Sequence, residues 1–162
     1  MGNTISPYTV IDVTPTLDTS EYASGDVLFD KVEIPNAVLG NGGCSKLMGL
    51  TISSKRAADT DIIVYLMTNN QTVGTANAAM NISASNGAAA GFLGYVNTSV
   101  GGADLGNFVL IQAPTNDEDN HNIPMLLQAA SDSSSVYFFA STTTVQTYAA
   151  DDLTFRFHIQ YK

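Results

Sequence analysis

The residues of this sequence that could carry acid–base or nucleophilic chemistry are two histidines, His121 and His158, and one cysteine, Cys44. His121 follows an acidic run, residues 117–119, whose carboxylates could bind a hard cation such as Ca²⁺. A calcium loop also needs a glycine turn and a distal glutamate at fixed spacing, and this run has neither. The run is therefore predicted to be a solvated acidic loop.

The sequence surroundings of His158 and Cys44 do not favour catalysis. His158 alternates with Phe157 and Ile159, so its side chain is predicted to lie on the solvent side of a strand. Cys44 has no histidine near it in the sequence and is predicted to be a partly buried structural thiol. The sequence also lacks a P-loop, a dinucleotide-binding fingerprint, a nucleophile elbow and a metalloprotease helix. We therefore expect no enzyme activity, no cofactor and no metal site.

The composition excludes several classes of partner. The chain has 162 residues, which favours one domain, and only 13% of them are charged, against roughly 25% in average soluble proteins. With 15 acidic and 6 basic residues the formal net charge is −9, so binding of nucleic acid through a basic patch is not expected. No apolar run predicts a membrane-spanning helix, and the N-terminal residues lack the pattern of a secretory signal. We therefore expect a protein that is made as a soluble cytosolic product or was already processed, and that has no nucleic-acid or membrane partner.

Apolar and polar residues alternate with a period of two, which predicts β-strands. The pattern is clearest near the C-terminus, where Leu153, Phe155 and Phe157 would face one side and Thr154 and Arg156 the other. Similar apolar segments are 8–13, 26–34, 46–53, 61–68, 92–96, 107–112, 123–129 and 136–141. Turns rich in Gly, Asn and Ser separate them, and no segment has the period of an amphipathic helix. The sequence therefore predicts an all-β protein, an antiparallel β-sandwich of the jelly-roll-like kind.

Two segments do not fit this regular pattern. Residues 75–90 are rich in Ala, Asn and Ser and are predicted to be a long connection that could contain a single helical turn at residues 76–80. Residues 1–15 are predicted to be an extended N-terminal arm, because Pro7 and Pro15 bracket a β-prone stretch, and residues 16–162 a single sandwich domain. Such an arm can add a strand to a neighbour's sheet, so its apolar side chains are candidate interface residues. They are Ile5, Tyr8, Val10, Ile11 and Val13.

The seven tyrosines leave two alternatives open. Their rings could line a carbohydrate-binding groove, or they could pack at the edge of the core and at interfaces. The absence of tryptophan and the few cations near the tyrosines favour packing.

A series of motifs between Thr14 and Lys162 follows a particular order. The first is Thr14–Leu28, with the sequence TPTLDTSEYASGDVL. After it come the glycine pair 42–43 before a strand, SKRAA at 54–58 before the apolar segment 61–66, NAA at 77–79, FLGYV at 92–96, SVYF at 135–138 and YAADDLT at 148–154. In this order and over this length, the sequence resembles the small head decoration, or cement, proteins of tailed bacteriophages, particularly those of marine and cyanobacterial phages.

This resemblance implies a jelly-roll-like β-sandwich on the outer surface of an icosahedral phage head. Proteins of this kind often attach as trimers and clamp neighbouring major capsid subunits, without catalysis. The resemblance therefore implies the major capsid protein as partner, a homotrimer as assembly and the virion as location, after synthesis in the host cytoplasm. The alternative is a receptor- or glycan-binding module of a phage fibre or head fibre, built on the same sandwich.

Overall fold

A computed structural model describes residues 7–56, 61–98, 102–113 and 123–162, which form ten strands and one short helix. The strands are β1 (Tyr8–Val13), β2 (Val27–Ile34), β3 (Cys44–Ser54), β4 (Ile62–Met67), β5 (Phe92–Asn97), β6 (Gly102–Asp104), β7 (Val109–Gln112), β8 (Met125–Gln128), β9 (Val136–Thr142) and β10 (Leu153–Tyr161). The helix, α1, is Ala84–Ala90.

The strands form two antiparallel sheets that pack face to face. The larger sheet has the order β1-β10-β3-β7-β6, and β8 also pairs with β3. The smaller sheet has the order β2-β9-β4-β5. The chain therefore crosses between the sheets repeatedly, and strands that are distant in sequence, such as β1 and β10, become neighbours. The prediction of an all-β protein with an antiparallel β-sandwich is confirmed, while the jelly-roll-like topology stays a prediction.

A cluster of phenylalanines joins the two sheets at the centre of the core. Phe138 of β9 has its ring centroid 5.3 Å from Phe29, 5.2 Å from Phe155 and 4.9 Å from Phe157. Phe29 belongs to the smaller sheet, while Phe155 and Phe157 belong to β10 of the larger one. All four side chains are buried, and their edge-to-face and tilted contacts are the arrangement that aromatic quadrupoles favour.

Tyr22 holds the connection before β2 against the sandwich. Its side chain is fully buried, and its hydroxyl accepts a hydrogen bond from the Asp18 N–H at 2.7 Å and donates one to the Leu28 carbonyl at 3.0 Å. Its ring meets the edge of Tyr148 with the centroids 5.8 Å apart. Burial raises the pKa of the Tyr22 hydroxyl, against the lowering effect of the Asp18 N–H.

The strand predicted within the N-terminal arm belongs to the larger sheet. Residues 8–13 form β1, which pairs with β10 of the same chain in the register Tyr8↔Gln160 to Val13↔Phe155. An extended arm needs a surface to lie on, and β10 supplies it. The division of the chain at residue 15 into an arm and a domain stays a prediction.

The long connection between β4 and β5 contains a helix at another place than expected. Residues 76–80 do not form a helical turn, because this stretch bonds to β2 instead: Val27 N–H donates to Ala78 C=O at 2.9 Å, and Asn77 N–H donates to Val27 C=O at 2.8 Å. The helix is α1, which Ser83 caps by accepting from the Asn86 N–H at 3.2 Å and which Gly91 ends in the left-handed conformation, with φ 62°.

Candidate functional site

The side of the larger sheet that faces away from the core is called the outer face here. The strand registers place its side chains in four cross-strand rows. Within each row the residues are given in order from the β1 side of the sheet. The first row consists of Tyr8, Gln160, Lys46 and Leu126, and the second of Val10, His158 and Gly49. The third row consists of Asp12, Arg156, Thr51 and Gln112, and the fourth of Thr154, Ser53 and Leu110.

The outer face exposes several large apolar side chains. Tyr8 is 59% exposed, Val10 52% and Leu126 53%. Met48 and Leu110 are exposed as well. Met48 lies where the pairing of β3 with β10 shifts register, because Gly49 faces His158 while Leu47 faces Ile159. A groove of about 260 Å³ opens beside this bulge, lined by Tyr8, Thr9, Val10, Met48, His158 and Ile159.

The charges of the outer face largely cancel. Arg156 donates two hydrogen bonds to the Asp12 carboxylate, both 2.8 Å long. The Arg156 guanidinium holds the pKa of Asp12 below its ordinary value, and Asp12 in turn raises the pKa of Arg156. Because both side chains are exposed, this ion pair contributes little to stability and mainly fixes the two side chains in place. The remaining charged side chain of the four rows is Lys46.

A second groove, of about 210 Å³, continues along the outer face beyond the ion pair. It is lined by Thr51, Ser53, Phe108, Leu110, Thr154 and Arg156. Two of its hydroxyls already have partners: Thr51 Oγ1 lies 3.3 Å from His158 Nε2, and Thr154 Oγ1 lies 2.8 Å from Thr14 Oγ1. The outer face thus combines apolar side chains with uncharged hydrogen-bonding groups, which is the usual composition of the centre of a protein interface.

A third groove lies elsewhere and is mainly polar. It measures about 420 Å³ and is lined by Thr68, Asn69, Asn70, Ala130, Asp132, Ser133 and Tyr137. Burial raises the pKa of the Tyr137 hydroxyl, and the charges of Glu33 and Asp132 add to the effect. This polar groove brings amide, carboxylate and hydroxyl groups beside an aromatic ring.

The tyrosines divide between core and surface. Tyr22 and Tyr148 are buried, whereas Tyr8 and Tyr95 are exposed. Tyr65 stacks on Phe139 with the ring centroids 4.7 Å apart and the planes 9° from parallel. Packing therefore accounts for several of these rings, as the sequence favoured, while exposed aromatic surface also exists.

The five predicted interface residues fall into different places. Tyr8 and Val10 lie on the outer face, while Ile11 and Val13 are half-buried and pack against the core. Ile5 lies outside the described residues. An interface role for any of them stays a prediction. The predicted interface residues did not include Met48, Leu110 and Leu126, although each is apolar at an outward position of a strand.

Of the residues considered for catalysis or metal binding, the structure describes His158 and Cys44. His158 is half-buried beside Thr51, and Cys44 is half-buried at the start of β3. His121 and the acidic run 117–119 lie outside the described residues. In the part of the chain that the structure describes, no three His, Cys, Asp or Glu side chains are grouped to hold a metal ion. None of the helices in that part is long and apolar enough to cross a membrane.

Comparison of the chain with protein-family models, with curated proteins and with solved structures gives no match. The class that the structure defines is an all-β antiparallel sandwich with an exposed, nearly neutral outer face.

Proposed function

We propose that this protein is a structural virion protein, a decoration protein that binds the outer surface of an icosahedral phage head as a trimer and cements neighbouring major capsid subunits. The ordered resemblance from Thr14 to Lys162 is the observation that carries the proposal. The confirmed sandwich is compatible with it, and the outer face offers a surface for docking.

The outer face suits attachment to another protein because its burial would desolvate few ions. Its exposed apolar side chains, such as Val10 and Leu126, can be removed from water with a gain in free energy. Asp12 and Arg156 would enter an interface already paired with each other. This pairing matters because burying an unpaired charge costs more free energy than most interface contacts contribute.

The net charge and the proposed symmetry also fit an exterior role. A formal charge of −9 repels DNA, which suits a position outside the shell that holds the genome. A trimer that grips several capsid subunits gains avidity, so that each single contact can be modest.

The test is binding to heads that were assembled without this protein. We expect the double variant Leu110→Asp, Leu126→Asp to bind such heads at least about tenfold more weakly, because it would bury two carboxylates in place of apolar side chains, and the carboxylate at residue 110 has no cation in its cross-strand row. The matched control is Val145→Asp, which places a carboxylate at a side chain that is 59% exposed and outside the outer face. Cosedimentation of the purified proteins with heads measures the affinity, and thermal melting checks the fold.

Equal binding by the double variant and the control would exclude the outer face as the docking surface. The decoration role itself would fall if the protein were located in the tail of purified virions. It would also fall if heads without it resisted heat and osmotic shock as well as complete heads.

A second candidate is a receptor- or glycan-binding module of a phage fibre or head fibre, and the polar groove favours it. Amide, carboxylate and hydroxyl groups around an aromatic ring match the hydrogen-bonding edges and apolar faces of a sugar. In this case a glycan array would show binding that Asn70→Ala and Asp132→Ala abolish, while the outer-face double variant would bind normally. An array without any bound glycan would remove this candidate.

A further inference from the structure

We propose that protonation of His158 weakens the docking of the outer face on a phage head, so that attachment is firm near neutral pH and loosens in mildly acidic solution. The inference rests on the proposed function, because it concerns the regulation of the surface through which attachment is proposed.

His158 lies near the middle of the outer face. It belongs to the second row, between Val10 of β1 and Gly49 of β3. Its side chain is half-buried and helps to line the groove of about 260 Å³ beside Met48. A partner that docked on this face and filled the groove would therefore cover the imidazole ring.

The imidazole ring lies close to β3. Its Cδ2 atom is 3.6 Å, and its Cγ atom 3.8 Å, from the position that a Cβ on Gly49 would occupy. On the same strand, Thr51 Oγ1 lies 3.3 Å from His158 Nε2. A hydroxyl can donate to the nitrogen of a neutral imidazole or accept from that of a protonated one. Protonation is therefore expected to change the charge of the outer face and leave the fold intact.

The charged side chains around His158 offer its positive charge little compensation. Those on its own strand and on β3 are the cations Arg156 and Lys46. On β1 they are Asp12 and the phenol of Tyr8, and a phenol carries no charge near neutral pH. Asp12 is thus the acid of this group, and both of its oxygens already accept hydrogen bonds from Arg156.

The ion pair beside His158 is expected to persist while the histidine titrates. The Arg156 guanidinium holds the pKa of Asp12 below its ordinary value, so Asp12 stays ionised in mildly acidic solution. Asp12, Arg156 and Lys46 leave one net positive charge on the four rows, and a protonated His158 adds a second.

The positive charge of His158 is more costly to cover than that of Lys46. Lys46 is exposed, and a lysine can keep its ammonium group in water at the end of a long stem. The short side chain of His158 would instead carry its charge into the contact, where burial of an unpaired charge is unfavourable. Docking therefore favours the neutral imidazole. Because histidine ordinarily changes its charge between about pH 5 and 8, the affinity falls as the pH decreases through this titration.

The test is the pH dependence of binding to heads that were assembled without this protein. Cosedimentation at about pH 7.5 and about pH 5.5 compares the parent protein with His158→Gln, which keeps a hydrogen-bonding group beside Thr51 and does not titrate. Between these two pH values we expect the affinity of the parent to fall by about threefold to tenfold more than that of His158→Gln. The matched control is His121→Gln, which removes the other histidine of the sequence and should leave the fall as it is in the parent. Thermal melting at both pH values checks the fold.

An equal fall for the parent and His158→Gln would overturn the inference, as would a fall that His121→Gln abolishes. Unchanged or stronger binding of the parent at the lower pH would overturn it without the help of any variant. These results would leave the decoration role standing, since each of them includes binding to heads. Absence of binding at both pH values would instead contradict docking on heads, and the inference with it.

Discussion

Phe138→Ala is expected to lower the free energy of unfolding by about 3–5 kcal/mol, the largest effect we predict for a single substitution. The Phe138 ring contacts Phe29, Phe155 and Phe157, so that it touches phenylalanines of both sheets. Alanine would leave a cavity between the sheets that rigid strands on both sides cannot close. Urea denaturation followed by tyrosine fluorescence or circular dichroism measures the loss.

Phe138→Leu is the matched control for this substitution. Leucine keeps much of the apolar volume and loses the aromatic contacts. Phe138→Leu should therefore lower the free energy of unfolding by much less than Phe138→Ala does. If the two substitutions destabilised the protein equally, the volume of the ring would not be what holds the sheets together.

Tyr22→Phe is expected to lower the free energy of unfolding by about 1–3 kcal/mol. The substitution keeps the ring against Tyr148 and removes only the hydroxyl, which serves the Asp18 N–H and the Leu28 carbonyl. The Leu28 carbonyl would then be left without this partner in a buried place that water does not reach easily.

The matched control is Tyr161→Phe. The Tyr161 hydroxyl also donates to a backbone carbonyl, that of Asn36 at 2.9 Å, but at an exposed position where water can replace it. We expect Tyr161→Phe to lower the free energy of unfolding by no more than about 0.5 kcal/mol. A loss as large as that of Tyr22→Phe would show that burial does not set the value of these hydrogen bonds.

Strands with strict alternation could be predicted from the sequence because one side of each faces the core. The segment from Leu153 to Tyr161 shows this pattern and forms β10. Alternation is less informative where both sides are covered: in β9, Phe138 faces the core, yet Phe139 on the other side is also fully buried. The strand prediction for segment 136–141 depended on its apolar character and not on alternation.

The features that the sequence did not reveal depend on local bonds or on distant pairing. Helix α1 has only seven residues, so the Ser83 cap and the Gly91 stop decide its position more than periodicity does. Strand β6 is a short segment that exists through its pairing with β7. The outer face could not be predicted because its rows require the register between strands, and the exposure of Met48 follows from a register shift in that pairing.

The pairing of β1 with β10 has a consequence for biosynthesis. The ribosome makes Tyr8 long before Gln160, its partner in the ladder, so β1 must wait for most of the chain before it can bond. Closing such a long loop reduces the entropy of the chain before the contacts between β1 and β10 can stabilise it, and this slows folding. The larger sheet is therefore expected to be completed only after β10 has been synthesised, with β1 exposed in the nascent chain until then.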